Sequence, residues 1–178
     1  KYGVTKDYVL NLEVVLPTGE IIWTGANVLK NSTGYNLTQL LVGSEGTLGI
    51  ITKAVFSLLP YPKKDLLMLV PFYSAEEACK AVAAIFQAGV TPSGLEFMER
   101  DALHWAMQYA QSTAISLPDD IEAHLLIEVD GKDPEVLYQD IDMVTHVLDD
   151  FDTGEVLFAD SHEQKQMLWA LRRKVGEA

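Results

Sequence analysis

Cysteine, basic residues and long apolar runs are the features that this sequence has least of. Its 178 residues include one cysteine, Cys79, which excludes an internal disulfide and fits a reducing compartment, so we expect a cytoplasmic protein. No uninterrupted apolar stretch is long enough to span a bilayer, and no signal-peptide pattern is visible. Because the sequence opens on Lys1 rather than Met, we expect it to be a piece of a longer protein.

Positive charge is scarce, and the excess of negative charge is confined to one region. The chain has 13 Lys and Arg against 26 Asp and Glu, which gives a net charge of −13. Fourteen acids and one base, Lys132, lie between Asp119 and Asp160 and account for all of this charge. A field of this sign repels nucleic acid and anionic lipid, so we exclude nucleic acid as a partner.

The most informative segment is the glycine loop, residues 43–51, with the sequence GSEGTLGII. Its glycines, Gly43, Gly46 and Gly49, allow positive φ and a close ligand, and successive backbone N–H groups can bind anionic or polar atoms. The pattern is neither a phosphate loop followed by Lys-Ser or Lys-Thr nor the dinucleotide fingerprint Gly-x-Gly-x-x-Gly. The residues alone leave two interpretations open, a contact with a nucleotide-type cofactor and a tight connection that uses glycine for steric reasons.

Hydrophobic periodicity predicts two parts on either side of a break at residues 60–64 (PYPKK). The first part is a hairpin, a short helix capped by Asn36, the glycine loop and a strand. In the second part the patterns follow the order β-α-β-β-α-β, with one inserted helix at 101–111 and a further helix after Ser161. We expect an α+β protein whose second part is ferredoxin-like.

Helix starts and one apolar face are specific enough to compare with a structure. Ser74 to Glu77 has the pattern of a capping box and should begin a helix that ends at Gly89. Asp133 and Pro134 occupy the preferred first positions of a later helix. The apolar residues of that helix recur on one face, at Leu137, Ile141, Val144 and Leu148.

The remaining polar residues give no catalytic or metal site. The four histidines show no metal-ligand spacing, and there is no Ser-His-Asp order or nucleophile elbow. We therefore leave the catalytic residue unknown and assign no metal ligand. His124 opens a strand, and we expect it to be a hydrogen-bonded structural histidine. Glu96 and Glu99 should point to opposite sides of a strand and so not act as a pair.

Five segments occur in an order and spacing that identify a family. They are residues 1–10 (KYGVTKDYVL), 12–19 (LEVVLPTG), 30–37 (KNSTGYNL), the glycine loop with its flanks, and 168–172 (LWALR). Together they resemble the FAD-linked 2-hydroxyacid dehydrogenases and oxidases of the vanillyl-alcohol oxidase superfamily. Glycolate oxidase, D-lactate dehydrogenase and D-2-hydroxyglutarate dehydrogenase belong to this group. The resemblance spans essentially the whole chain and is most specific in the first sixty residues.

The resemblance implies a domain layout and a cofactor. Residues 1–62 would be the last part of an FAD-binding domain, its second subdomain, and residues 63–178 the first part of a substrate or cap domain. The segment that contacts FAD, largely through its backbone, would be Gly43, Ser44, Glu45, Gly46, Thr47, Leu48, Gly49, Ile50 and Ile51. In the family the pyrophosphate loop lies mainly upstream, and the histidines that bind a divalent metal lie downstream. We therefore expect FAD in the parent protein and absent or weak FAD binding in this chain alone.

The resemblance also implies one substrate residue. Arg172 matches the Arg of a Leu-Trp-Ala-Leu-Arg motif that binds a substrate carboxylate in the D-2-hydroxyglutarate relative, and a guanidinium suits bidentate carboxylate recognition. The alternative is a surface arginine beside Arg173 and Lys174, where cations offset the helix dipole. A Thr of the relative, one turn later, is Gly176 here, which leaves the hydroxyacid open.

The implied function is oxidation of a D-2-hydroxyacid, of the lactate, glycolate or 2-hydroxyglutarate class, to the 2-oxoacid with hydride transfer to FAD. The electron acceptor is unknown, and a homodimer is compatible with the sequence. One alternative is that the chain as it stands is a folded but inert module without FAD. Another is a parent similar to alkyl-glycerone-phosphate synthase, which shares a similar glycine loop, although the motif at Arg172 argues against it.

Overall fold

A computed structural model describes residues 1–111, 115–159 and 161–177. The chain divides into two units, the first comprising Tyr2–Tyr61 and the second Pro62–Ala178 together with Lys1. Among the described residues, no helix combines the length and apolar character that a membrane span requires.

The first unit is built on a three-stranded antiparallel sheet. A 3-10 turn at Thr5–Tyr8 is followed by β1 (Val9–Val15), β2 (Ile21–Trp23), α1 (Leu37–Leu41) and β3 (Ile50–Phe56). Strand β1 is central, with β2 and β3 antiparallel on its two sides, so the predicted hairpin is confirmed. The short helix also begins as predicted, because the Asn36 side chain accepts a hydrogen bond from the Gln39 amide.

The core of the first unit is small and is supported by buried hydrogen bonds. Its buried apolar residues are Leu12, Val14 and Leu41. Beside them, the Thr24 and Thr38 hydroxyls lie 2.8 Å apart and are buried. Buried polar groups that bond to one another avoid the cost of lost hydration. Because the Leu12 amide of β1 also donates to the Thr24 hydroxyl, these two bonds fix the loop after β2 and helix α1 against the sheet.

The second unit contains a four-stranded antiparallel sheet with the strand order of a ferredoxin-like fold. Its elements are β4 (Lys64–Phe72), α2 (Ala75–Gln87), β5 (Gly94–Glu99), α3 (Arg100–Ala110), β6 (Ala123–Gly131), α4 (Pro134–Leu148), β7 (Leu157–Ala159) and α5 (His162–Lys174). The order across the sheet is β5-β6-β4-β7. The predicted β-α-β-β-α-β arrangement is thus confirmed, with α3 inserted between β5 and β6 and α5 added at the end.

Helices cover both faces of this sheet and create two apolar clusters. Alternate residues of a strand point to opposite faces, so Met68 and Leu125 enter the cluster beneath α2 and α4. Their neighbours Leu67 and Leu126 enter the cluster beneath α3 and α5. Each such side chain, when fully buried, contributes roughly 1.5–3 kcal/mol to folding. The central strands are therefore apolar along most of their length, as expected for a sheet that is covered on both sides.

The predicted helix starts are confirmed, with one difference in detail. The Asp133 side chain accepts a hydrogen bond from the Glu135 amide, and the predicted apolar face of α4 is buried. The Ser74 side chain accepts from the Glu77 amide at 3.4 Å. The Glu77 carboxylate instead accepts from the Asp152 amide at 3.3 Å, so the second half of the predicted capping box is wrong. A partner from a distant loop replaces the local one.

His124 does not have the hydrogen bonds expected of it. It lies on β6, is 2% exposed, and its Nδ1 has no hydrogen-bond partner in the part of the chain that the structure describes. Burial lowers the pKa of His124 from 6.5 to about 4, because the charged imidazolium would lose its hydration. The ring is therefore neutral at pH 7. It packs in the fold as a largely apolar side chain would.

We predict that His124 makes the protein sensitive to mild acid. As the pH falls from 6.5 to about 4, the unfolded chain binds this proton before the folded chain does, so the free energy of unfolding decreases. The full effect is about 3 kcal/mol, since each pKa unit corresponds to about 1.4 kcal/mol.

Urea unfolding can test this with wild type and His124→Leu, each measured at neutral pH and at about pH 5. The variant should lose less of its free energy of unfolding between the two pH values. His146→Leu, at an exposed histidine, is the control and should behave as wild type. An equal loss in His124→Leu and wild type would contradict the prediction.

Candidate functional site

The glycine loop connects α1 to β3, and each of its glycines has a steric role. Gly43 and Gly46 adopt φ angles of +85° and +80°, and Glu45 between them has a φ of +53°. A Cβ atom on Gly49 would lie 2.7 Å from Cγ1 of Val14, so this glycine lets the loop pack against β1. The steric interpretation of the spacing is thus supported, because two positions need left-handed backbone and the third needs close approach.

The same backbone leaves donor groups for a ligand. The amides of Ser44 and Thr47 donate to carbonyl groups three residues earlier. Among the residues that the structure describes, the amides of Glu45, Gly46 and Leu48 donate no hydrogen bond. Clustered amides of this kind can bind anionic or polar oxygen atoms. The steric and the ligand-binding interpretations of the loop are therefore compatible with each other.

Apolar side chains lie exposed beside these amides. Leu48, Ile50 and Ile51 are 42%, 61% and 45% exposed, and Leu40 at the end of α1 is 61% exposed. A group of exposed apolar residues next to polar backbone is typical of binding surfaces. The loop can therefore offer both apolar contact and hydrogen bonds to a ligand that has an apolar and a polar part.

The charged residues next to the loop are paired with each other. The Lys53 ammonium lies 2.8 Å from a carboxylate oxygen of Glu13, and the Thr52 hydroxyl lies 2.8 Å from the other oxygen. The hydrogen bond from Lys53, followed by that from Thr52, holds the pKa of Glu13 below its usual value. The Lys53 ammonium is thus engaged by a carboxylate, and its side chain remains 65% exposed.

In the second unit, the predicted substrate residue lies on α5, whose position is fixed by packing. Ser161 caps the helix in a complete capping box with Gln164. Leu168 and Leu171 are 2% and 5% exposed and enter the cluster beneath α3 and α5. The motif 168–172 is therefore in part a docking motif, since its two leucines hold the helix on the sheet.

Trp169 adds a polar contact to this docking. Its Nε1 donates a hydrogen bond to Oε2 of Glu128 at 2.8 Å. The ring lies against Gly94, where a Cβ atom would be 2.8 Å from Cη2 of the indole. Ser93 completes the arrangement, because its hydroxyl lies 2.9 Å from Oε1 of Glu128. Strands β5 and β6 thus hold the helix through Glu128 and through the space that Gly94 leaves.

Arg172 is paired with a carboxylate that the sequence did not identify as its partner. Its Nη2 lies 2.6 Å from Oε2 of Glu96, and the two side chains are 42% and 31% exposed. This pair is compatible with both interpretations of Arg172, the substrate ligand and the surface arginine. Glu96 and Glu99 do point to opposite faces of the sheet, since their partners on β6 are Leu126 and Ala123, which belong to different clusters. Of these two residues, Glu96 is the one on the face that α5 covers.

A cavity of about 570 Å³ opens beside His124 in the second unit. Apolar side chains such as Leu69 and Leu157 line it, together with the carboxylates of Asp120 and Glu155. Its described lining contains no Lys or Arg. Because two acids and a neutral histidine would repel or fail to hold an anion, this cavity is a poor site for a hydroxyacid carboxylate.

No metal centre is evident where the structure describes the chain. Within residues 1–111, 115–159 and 161–177, no three His, Cys, Asp or Glu side chains lie close enough together to hold a metal ion.

Known proteins are similar to this chain over its full length. Residues 61–178 match the family model described as FAD linked oxidases, C-terminal domain. A D-lactate dehydrogenase from Anaerostipes hadrus is 37% identical over 183 aligned residues, which cover 100% of this chain and 38% of that protein. Glycolate oxidase subunit GlcD from Bacillus subtilis (strain 168) is 40% identical over 178 residues, which cover 100% of this chain and 37% of that protein.

A solved structure has the same fold. Alkyldihydroxyacetonephosphate synthase superimposes with a TM-score of 0.72 and 24% sequence identity, covering 98% of this chain and 32% of that chain. At this identity the similarity concerns the fold alone. The chain spans a little over a third of the length of the curated relatives that it matches.

Proposed function

The chain belongs to the FAD-linked oxidases, and we propose that its parent protein oxidises a D-2-hydroxyacid of the lactate, glycolate or 2-hydroxyglutarate class to the 2-oxoacid. The observation that carries the proposal is the similarity of the whole chain to a D-lactate dehydrogenase and to glycolate oxidase GlcD. Two features of the structure support it, the partly exposed guanidinium of Arg172 and the unpartnered amides of the glycine loop.

In this proposal Arg172 binds and orients the substrate carboxylate. The contact with Glu96 occupies Nη2 from one side, and the side chain remains 42% exposed. A guanidinium has five N–H donors, so a carboxylate can be bound by a pair of them while one remains with Glu96. Holding the carboxylate fixes the position of the adjacent C2–H bond, which is the bond that breaks in the oxidation.

The residues of the glycine loop fit the cofactor that the family implies. Amides at Glu45, Gly46 and Leu48 suit polar oxygen atoms, and the exposed side chains of Ile50 and Ile51 suit an apolar ring edge. When bound, FAD would supply the acceptor for the hydride that leaves C2 of the hydroxyacid. We therefore retain residues 43–51 as the proposed FAD contact in this chain.

A synthase similar to alkyldihydroxyacetonephosphate synthase is the competing function. The observation in its favour is the shared fold at a TM-score of 0.72. Sequence identity is higher to the two hydroxyacid enzymes, at 37% and 40%. Hydroxyacid oxidation is therefore the function that we propose.

The proposed function can be tested with the full-length parent protein. We predict that the purified full-length protein carries FAD, and that the flavin absorbance is bleached under anaerobic conditions by D-lactate, glycolate or D-2-hydroxyglutarate. The L-enantiomer of lactate is the matched control and should bleach it far more slowly. A flavin that none of these acids reduces would refute the proposal and favour the synthase, and a protein without flavin would refute both.

Replacing Arg172 tests its role in the same protein. Arg172→Ala should raise KM for the hydroxyacid about 10- to 100-fold with a smaller change in kcat, since a charged hydrogen bond to the bound substrate is lost. Arg173→Ala removes an equal charge from the adjacent, exposed position and should leave KM unchanged. An unchanged KM in Arg172→Ala would remove this residue from the site.

We propose further that residues 1–178 alone fold but do not bind FAD. The loop amides and apolar side chains described above belong to the first unit, which is a small part of an FAD cleft in the layout that the family implies. Thermal unfolding of the isolated chain should therefore be unchanged by millimolar FAD, because a ligand that binds the folded state must raise its stability. Full-length protein stripped of flavin is the positive control. A saturable upward shift in the isolated chain would show that this proposal is wrong.

A further inference from the structure

The pair formed by Arg172 and Glu96 has a feature that distinguishes it from an ordinary surface ion pair. Its two residues are 76 positions apart in sequence, and their contact at 2.6 Å joins α5 to β5. Both side chains are partly buried, which restricts the conformations that the guanidinium can adopt. Within the described ranges of the chain, no other carboxylate forms a hydrogen bond or ion pair with this guanidinium.

The backbone of Arg172 is placed without help from Glu96. Leu168 and Leu171 bury α5 in the apolar cluster, and Trp169 connects it to Glu128. The helix therefore has docking contacts that are independent of Glu96. What the contact with Glu96 restricts is the guanidinium at the end of a long side chain that has several rotatable bonds.

The register of the sheet directs the Glu96 carboxylate to this point. Glu96 pairs with Leu126, and Gly94 pairs with Glu128, so both carboxylates lie on the face that α5 covers. Glu128 is engaged by Trp169 and Ser93. Glu96 is the other of these two carboxylates, and it contacts Arg172. Glu128 therefore helps to dock the helix, whereas Glu96 orients the guanidinium.

We propose that Glu96 is a positioning residue that holds the Arg172 guanidinium in the orientation in which its free N–H groups bind the substrate carboxylate. The inference rests on the proposed function, in which Arg172 is the carboxylate ligand. A single contact through Nη2 leaves donors on the other side of the planar fork for the substrate. Restricting the side chain before substrate arrives reduces the ordering that binding would otherwise require, and so increases affinity.

The test is a double-mutant cycle in the full-length flavoenzyme, with D-lactate, or whichever of the three acids reduces the flavin fastest, as substrate. Glu96→Ala should raise KM about tenfold and change kcat much less, because the carboxylate contact is made in both the ground state and the transition state. In the Arg172→Ala background, Glu96→Ala should have no further effect on KM, since the residue on which it acts is gone. Glu96→Gln, which keeps an oxygen acceptor, should restore most of the affinity.

Controls separate this role from a general effect on folding. Glu99→Ala removes a carboxylate from the same strand on the opposite face and should leave KM unchanged. The melting temperatures of all variants report whether any of them loses structure. If Glu96→Ala raises KM by the same factor with and without Arg172, Glu96 acts through the fold and the inference is overturned.

Failure of the inference and failure of the proposed function give different results. If Arg172→Ala raises KM but Glu96→Ala leaves it unchanged, the carboxylate ligand stands and only the positioning role is overturned. If Arg172→Ala leaves KM unchanged while the hydroxyacid still reduces the flavin, both roles are overturned but the reaction remains. If no hydroxyacid reduces the flavin, the proposed function fails and the inference falls with it.

Discussion

The antiparallel pairing of β4 with β6 is the constraint on which the second unit depends. The two nine-residue strands pair along their full length, and helices cover both faces of the sheet that they centre. Because a slip of one residue would exchange the two faces, this register determines which side chains lie beneath each pair of helices. On the other side of β6, the separate pairing with β5 places Glu96 opposite Leu126 and Gly94 opposite Glu128.

Helix α5 shows how the same short motif serves both the fold and the proposed site. Two leucines bury the helix, the tryptophan joins it to Glu128, and the arginine that follows reaches Glu96. The spacing of three between Trp169 and Arg172 places both side chains on one side of the helix, towards β5. A side chain that must present a charge in a defined orientation is best placed on a rigid element, and here the packing of the helix supplies that rigidity.

Two steric requirements determine where the loop has glycine. Its glycines satisfy left-handed backbone at two positions and close packing against β1 at a third. The conformation that results leaves amides that include those of Glu45, Gly46 and Leu48 without partners where the chain is described. The steric interpretation and the proposed ligand contact are therefore compatible at this loop, because the backbone shape that requires glycine also leaves these donors available.

Local features could be predicted from the sequence because they depend on residues within a few positions of one another. The hairpin, the caps at Asn36 and Asp133, the apolar face of α4 and the ferredoxin-like order of elements all follow from such patterns. The order of the family motifs also lies in the sequence itself. Contacts between distant segments could not be predicted in this way. Only the tertiary structure decided that Glu77 binds the Asp152 amide, that His124 is buried without a partner for Nδ1 among the described residues, and that Glu96 faces Arg172. Each of these depends on which strands become neighbours, and residues tens of positions apart carry no local pattern that shows it.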